Sequence, residues 1–141
     1  APAADYPRSR AAALSMVPTT TSAARLLDGV LPEIAGRIVA QAVRVPVASV
    51  SCVDFHLVTE QRPSVEEVNA VFRAAARSEG SVIGATDRPL VSTDLRARAE
   101  SVVMACPETK VSGGGMLRVF GWYDNEWGFS NRMLDMALRM G

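Results

Sequence analysis

Three residues with reactive side chains stand at every second position of one short stretch: Cys52, Asp54 and His56. A thiol, a carboxylate and an imidazole are the groups that a nucleophilic enzyme combines. Residues 50–58 are rich in β-branched and aromatic side chains and predict a strand, on which these three share one face. Residues i and i+4 of a strand stand about 13 Å apart, however, so thiol and imidazole cannot converge. We therefore expect no catalytic triad here.

The same side chains do not predict a metal site. Cys52, His56 and Cys106 lack the paired ligand spacing that is typical of zinc sites. We expect both cysteines to be small structural side chains, and His56 to be a solvent-facing or hydrogen-bonded strand residue.

A denser group of site-type residues occupies positions 122–135, with the sequence Trp-Tyr-Asp-Asn-Glu-Trp-Gly-Phe-Ser-Asn-Arg-Met-Leu-Asp. Tryptophan, tyrosine, asparagine and glycine are not strong helix formers, so their concentration at a helix start favours a site. Residues 116–123 predict a strand that follows a glycine turn at 113–115. Asp124 or Asn125 would then cap a helix.

This C-terminal helix is predicted to end at Gly141 and to have a broad apolar face. Its apolar residues recur at helical spacing: Phe129, Met133, Met136 and Met140, with Leu134 and Leu138 beside them. We expect the methionines to pack into the core of the chain itself.

The rest of the chain predicts a mixed α/β unit. Thr21 or Ser22 would cap a helix that ends near Val30, and Ser64 with Glu67 forms a capping box for a second helix from Val65 to Arg77. The predicted extended segments are residues 38–45, 47–59, 81–85, 90–92 and 99–105. No linker or repeat divides the sequence, so we expect one domain over residues 1–141.

Composition excludes several classes of function. The chain has 141 residues, 15 Lys plus Arg against 15 Asp plus Glu, and 48% hydrophobic residues. Such a chain can bury a core, but it has no basic field for nucleic acid or an acidic membrane surface. No apolar run reaches the roughly 20 residues of a membrane span, and the first residues do not resemble a signal peptide. A cytoplasmic protein is the expectation.

The run at 122–135 resembles the closing signature of glyceraldehyde-3-phosphate dehydrogenases, including the related erythrose-4-phosphate dehydrogenases. Other segments resemble the same family in the same order along nearly the whole chain. They are residues 8–24, with Pro-Thr-Thr-Thr-Ser-Ala-Ala at the end, 30–38, 42–46, 51–55 and 65–69. The resemblance implies the C-terminal part of the catalytic domain, a largely antiparallel mixed sheet with helices on one face.

The resemblance also implies roles for particular residues. Thr21 and Ser22 match a Thr-Gly pair at a phosphate site, and Arg44 matches the arginine of an Arg-Val-Pro motif that contacts substrate phosphate. A helix start with free amides and an arginine are both suited to an anion. Asn125 matches the asparagine that holds the nicotinamide carboxamide, since an amide both donates and accepts. Phe129 lies beside it, in the cofactor part of the signature.

Two residues depart from the usual family pattern. Ser22 replaces a glycine, which adds a side chain beside the phosphate. Phe129 replaces the tyrosine of many glyceraldehyde-3-phosphate dehydrogenases, and the run around it is more similar to the erythrose-4-phosphate branch.

Two family motifs do not occur in these 141 residues. They are the Ser-Cys-Thr-Thr-Asn nucleophile motif and a Gly-x-Gly-x-x-Gly dinucleotide-binding turn. We therefore expect no catalytic residue, no Rossmann domain, no turnover by this chain alone, and no tight binding of NAD or NADP.

Two functions from different classes follow. The chain is either the C-terminal segment of a phosphorylating, NAD(P)-dependent aldehyde dehydrogenase or a free-standing, non-catalytic binding or assembly module. In the first case its partners are a sugar-phosphate aldehyde, inorganic phosphate, and either an N-terminal half or further copies of the chain. Nucleic acid and membranes are not expected partners. The apolar face of the C-terminal helix favours self-association.

Overall fold

The computed structural model describes residues 13–141, so Arg8 and Arg10 of the first matching segment lie outside the described residues. The chain forms two compact units, one up to Ala48 and one from Ser49 to Gly141. Each unit has its own sheet.

In its described part, residues 13–48, the first unit contains a two-stranded sheet and one α-helix. Strand β1 (Val17–Thr19) pairs antiparallel with β2 (Ala42–Arg44), and helix α1 (Ala23–Val30) lies between them in the sequence. The predicted end of α1 is confirmed. The predicted strand at 38–45 is shorter than expected, because β1 offers only three residues and one of them, Pro18, has no N–H to donate.

The second unit contains a five-stranded mixed sheet and two helices. Its strands run in the order β3-β7-β5-β4, and β6 also pairs with β7. All pairs are antiparallel except β4 with β5, which confirms the predicted largely antiparallel mixed sheet. The elements are β3 (Ser51–Val58), α2 (Val65–Arg77), β4 (Ile83–Thr86), β5 (Val102–Ala105), β6 (Lys110–Val111), β7 (Met116–Tyr123) and α3 (Asn125–Met140).

The central strand β7 separates two packed clusters, because its side chains alternate between the two faces. Leu117 and Val119 lie on one face with Met104 of β5, and α2 packs against this cluster through its apolar side. Trp122 lies on the opposite face, where it packs against a second cluster that contains Val103. The residues of the second cluster are Val50, Leu95 and Val103, with Leu90 and Trp122 at its edge.

Helix α2 begins at the capping box that the sequence predicts. The side chain of Ser64 accepts a hydrogen bond from the Glu67 amide, and the Glu67 carboxylate accepts one from the Ser64 amide, which confirms the capping box. Farther along, the buried Asn69 amide donates to the carbonyl of Cys106 and accepts from the hydroxyl of Thr109. These buried hydrogen bonds connect α2 to the turn after β5.

The segment at 90–92 is extended at Val91, as the sequence predicts, but belongs to no strand. A 3₁₀ turn begins within it and covers Ser92–Leu95, and the Asp94 carboxylate accepts a hydrogen bond from the Val91 amide at 2.9 Å. An aspartate that bonds to a nearby backbone amide turns the chain, since it offers the backbone an alternative to a strand ladder.

Gly121 allows the neighbouring strands to approach β7 closely. A Cβ at this position would lie 2.6 Å from Cγ2 of Val102 and 3.2 Å from the sulfur of Met104. The first contact is shorter than packed side chains allow and the second is tighter than most, so the sheet is built around the missing side chain.

We predict that Gly121→Ala destabilises the second unit by about 1–3 kcal/mol, the usual cost of overpacking a core. Urea unfolding followed by circular dichroism measures the change. Gly113→Ala is the matched control, because no atom lies within 4 Å of its Cβ position and its φ is not positive. Equal losses in both variants would show that close packing at Gly121 is not the cause.

Candidate functional site

The junction between β7 and α3 consists of a single residue, Asp124, and it positions the first candidate side chain. Asp124 is buried, and its Oδ1 accepts a hydrogen bond from the Trp127 amide at 3.1 Å, as an N-cap does. Its Oδ2 accepts from the Ala97 amide at 2.9 Å. Of the two caps that the sequence allows, Asp124 is therefore the one used, and Asn125 is the first residue of α3.

The Asp124 carboxylate also holds an unusual loop conformation. Ala97 has a φ of 58°, in the left-handed region that residues with a Cβ seldom adopt. Its amide points at Asp124, so one carboxylate fixes both the loop and the start of α3. Asn125 is exposed at this fixed start.

Helix α3 packs against the rest of the second unit through its small and polar side. Gly128 is buried, and a Cβ there would lie 3.0 Å from the carbonyl oxygen of Glu100. One turn later Arg132 donates to the hydroxyl of Ser101 at 3.1 Å and to Asp135 at 2.8 Å. The spacing of Gly128, Arg132 and Asp135 places them on one face of the helix.

The apolar side of α3 is exposed, and the prediction that its methionines pack into the chain's own core is wrong. Met133, Met136 and Met140 are 59%, 54% and 82% exposed, and Phe129 is 66% exposed. The reason is the close contact at Gly128, which turns the small and polar side inward and the apolar side outward.

The three phosphate-type residues all lie in the first unit, and all three are exposed. Ser22 is the N-cap residue of α1 but makes no side-chain capping hydrogen bond, whereas the hydroxyl of Thr21 accepts from the Ala23 amide at 3.2 Å. Arg44 lies opposite Val17 at one end of the β1–β2 ladder. Within residues 13–141, neither a hydrogen bond nor an ion pair joins Arg44 to the helix start.

Sequence reasoning missed the partner of Asp54. Arg118 of β7 forms a two-pronged ion pair with Asp54, at 2.8 Å and 2.9 Å, and also contacts Glu108 at 2.9 Å. These hydrogen bonds raise the pKa of Arg118 above its ordinary value. His56 lies 3.3 Å from Asp54. The sequence shows only that an acidic residue, Asp54, and a basic residue, Arg118, lie on two predicted strands. The register of β3 against β7 was needed to show that their side chains meet.

The two cysteines differ in their surroundings. Cys106 is buried as expected, but Cys52 is exposed on β3, so the expectation of a packed structural side chain is wrong for Cys52. Partial desolvation and the nearby Asp54 raise the pKa of the Cys52 thiol, and burial raises that of Cys106. A raised pKa leaves less thiolate at neutral pH, and thiolate is the nucleophilic form.

A shallow cleft of about 490 Å³ lies beside α3, but its charges are already paired. Arg98 and Glu100 form an ion pair with each other, and Arg132 pairs with Asp135. In residues 13–141 the structure brings together no group of three His, Cys, Asp or Glu side chains able to hold a metal ion. None of the helices over the same residues is long and apolar enough to cross a membrane.

The fold and the junction define a mixed α/β domain whose central strand leads through a buried aspartate cap into a C-terminal helix. Residues 1–125 match the family described as the glyceraldehyde 3-phosphate dehydrogenase C-terminal domain. The chain is 46% identical over 138 residues to the glyceraldehyde-3-phosphate dehydrogenase of Xanthobacter flavus and 49% identical over 138 residues to that of Cereibacter sphaeroides. The chain therefore belongs to the glyceraldehyde-3-phosphate dehydrogenase family, which confirms the resemblance seen in the sequence.

The matched region is a part of each relative. The two alignments cover 97% of this chain and 41% of each relative. The enzyme of Pseudomonas aeruginosa is 49% identical over 137 residues, which are 96% of this chain and 40% of that protein. The chain spans about two fifths of the length of the curated relatives that it matches.

We predict that Asp124→Ala destabilises the second unit by about 2–4 kcal/mol, because both the helix cap and a hydrogen bond to a charged acceptor are lost. Denaturant unfolding measures this loss. Asp124→Asn keeps one acceptor oxygen and should recover part of it. Glu126→Ala removes the exposed acid of the same first turn and serves as control; a loss as large as that of Asp124→Ala would point to general helix charge instead.

Proposed function

We propose that this chain is the C-terminal segment of a phosphorylating, NAD(P)-dependent aldehyde dehydrogenase that acts on glyceraldehyde 3-phosphate or erythrose 4-phosphate. The observation that carries the proposal is the exposed Asn125 at the start of α3, fixed by the buried Asp124. Membership of the family supports it, because the relatives named above are glyceraldehyde-3-phosphate dehydrogenases.

In this proposal Asn125 holds the carboxamide of the nicotinamide ring. A primary amide pairs well with another, since each donates through nitrogen and accepts through oxygen. Phe129 follows Asn125 by one helical turn and adds an exposed aromatic ring on the same side. The bound cofactor would accept the hydride, and the residues of this chain would orient it.

Thr21, Ser22 and Arg44 form the phosphate contacts of the proposed enzyme. Two free amides and the positive end of the dipole at the start of α1 attract an anion, and the Thr21 hydroxyl is already ordered there by the Ala23 amide. Arg44 is exposed and supplies a guanidinium that can bind phosphate in a bidentate manner. These residues would bind the phosphate of the aldehyde or inorganic phosphate.

The outward apolar side of α3 supports a larger assembly. Soluble monomers usually keep their contiguous apolar patches to a few hundred Å². Phe129, Met133, Met136 and Met140 would be covered by the remainder of the longer enzyme. The chemistry then depends on both parts, and this chain supplies binding groups rather than the nucleophile.

We predict that phosphate raises the melting temperature of the chain by ligand linkage at Arg44 and the start of α1. Arg44→Ala should abolish the shift. Arg37→Ala is the matched control, an exposed arginine of the same unit outside the proposed site. Thermal unfolding is followed at constant ionic strength, with chloride replacing phosphate. Equal stabilisation of Arg44→Ala and parent would mean that general salt exclusion causes the effect.

We predict that the 141-residue chain alone does not oxidise either aldehyde with NAD or NADP. Turnover should appear when it is co-expressed with the N-terminal three fifths of the Pseudomonas aeruginosa relative. In that complex Asn125→Ala should raise KM for the cofactor about tenfold, because two hydrogen bonds are lost. Glu126→Ala is the neighbouring control.

Two outcomes would contradict this proposal. Turnover by the chain alone, in a preparation of verified mass, would show that Cys52 or Cys106 acts as a nucleophile, and Cys52→Ser with Cys106→Ser would identify which. A well-folded complex without activity would favour a non-catalytic binding or assembly module.

A further inference from the structure

A second cleft, of about 540 Å³, lies between the loop after β3 and the first turns of α2. We call it the loop cleft. Sites for small molecules have volumes of about 300–1,000 Å³ and combine a mostly apolar lining with a few polar groups. The loop cleft has this composition, because its lining is largely apolar and its polar residues are Gln61, Arg62 and Glu67.

The apolar lining comes mainly from one side of α2. Val68, Val71 and Phe72 stand at positions i, i+3 and i+4 of the helix, so their side chains are neighbours, and Pro63 adds its ring from the loop. Val68 and Phe72 also pack against the buried cluster that contains Leu117, whereas Val71 is 65% exposed. A ligand that covers Val71 removes apolar surface from water, which favours binding.

Arg62 supplies the charge of the loop cleft that has no partner. Within residues 13–141 its guanidinium forms neither an ion pair nor a side-chain hydrogen bond. Its stem lies against the hairpin before β7, where Nε and Cδ would be 3.4 Å and 3.6 Å from a Cβ at Gly115. An arginine presents a planar fork of donors that binds a carboxylate through two parallel hydrogen bonds.

The acid in the lining, Glu67, is already in use. Its carboxylate accepts hydrogen bonds from the amide and the hydroxyl of Ser64, both at 2.8 Å. It also lies in the first turn of α2, where the free amides favour a negative charge. These hydrogen bonds lower the pKa of Glu67, so the carboxylate stays anionic and in place. Arg62 therefore remains available to a ligand.

We propose that the loop cleft binds a small monocarboxylate with an apolar body, of the aryl- or alkyl-carboxylic acid class. The carboxylate pairs with Arg62, and the apolar body covers Val71 beside Pro63 and Phe72. Inorganic phosphate is a poorer fit, because most of the lining is apolar and would leave its oxygens without hydrogen bonds. A second negative charge would also be repelled by Glu67.

The loop cleft is separate from the site proposed for the cofactor. Strand β3 begins opposite Tyr123, next to the junction with α3, and ends opposite Met116 at the hairpin. The loop that lines the cleft starts at this second end, and a strand of eight residues spans about 23 Å. The proposal therefore does not depend on the role of Asn125.

Titration of the 141-residue chain with 3-phenylpropionate, followed by ¹H–¹⁵N NMR, tests this proposal. We expect saturable shifts of the amides of residues 61–72, with a dissociation constant of about 1 mM, as for other ligands of so few atoms. Arg62→Gln should raise this constant about tenfold, because the charged hydrogen bonds are lost. Arg77→Gln removes an exposed arginine of α2 outside the cleft and should leave it within about twofold.

A neutral ligand and an added acid separate the charge from the apolar contact. 3-Phenylpropionamide has the same apolar body, and it should bind the unmodified chain about as weakly as the carboxylate binds Arg62→Gln. Arg62→Gln should not weaken the amide further, which completes a double-mutant cycle. Val71→Glu places a second acid in the cleft and should abolish saturable binding of the carboxylate. Met136→Glu adds the same charge on the exposed side of α3 and should not.

Three results would overturn the proposal. The first is the absence of saturable shifts at residues 61–72 when the carboxylate is about twentyfold above the expected dissociation constant. The second is equal affinity for the carboxylate and the amide, which would leave Arg62 without a role. The third is equal weakening by Arg62→Gln and Arg77→Gln, which would mean a general effect of net charge.

Discussion

The buried carboxylate of Asp124 is the interaction on which the candidate site depends. This carboxylate connects three parts of the second unit. Asp124 directly follows β7, its Oδ1 caps α3 by accepting from the Trp127 amide, and its Oδ2 accepts from the Ala97 amide of a neighbouring loop. A buried carboxylate is stable only when its acceptors are satisfied, and here two backbone amides do this. Asn125 follows directly, so its position is determined by the same hydrogen bonds.

The contact at Gly128 explains why α3 faces the way it does. The helix approaches Glu100 so closely that a Cβ at position 128 would lie 3.0 Å from its carbonyl oxygen. This contact turns the small and polar side of α3 toward its own unit and leaves the apolar side exposed. An amphipathic helix normally buries its apolar side. The opposite arrangement leaves the apolar side of α3 open, which supports the proposal that the remainder of a longer enzyme covers it.

On the sheet face opposite α2, charge pairing decides what the polar side chains can do. The type of Asp54 and its spacing with Cys52 and His56 make it a candidate member of a catalytic triad. Its bidentate ion pair with Arg118 makes it a structural anion instead. Arg118 also binds Glu108, so one guanidinium holds two carboxylates and connects β3, β7 and the turn before β6.

The sequence by itself determined the family, the mixed sheet, both long helices, the capping box of α2, and the hairpin at residues 113–115. These features depend on local patterns: alternating apolar residues, the Ser64–Glu67 capping box, and glycine or aspartate at a turn. Tertiary structure decided which side of α3 is buried, how Asp54 is used, and that Cys52 is exposed. Each of these depends on which residue lies opposite another across strands or beneath a helix, and periodicity along the chain shows that a face exists but not what covers it.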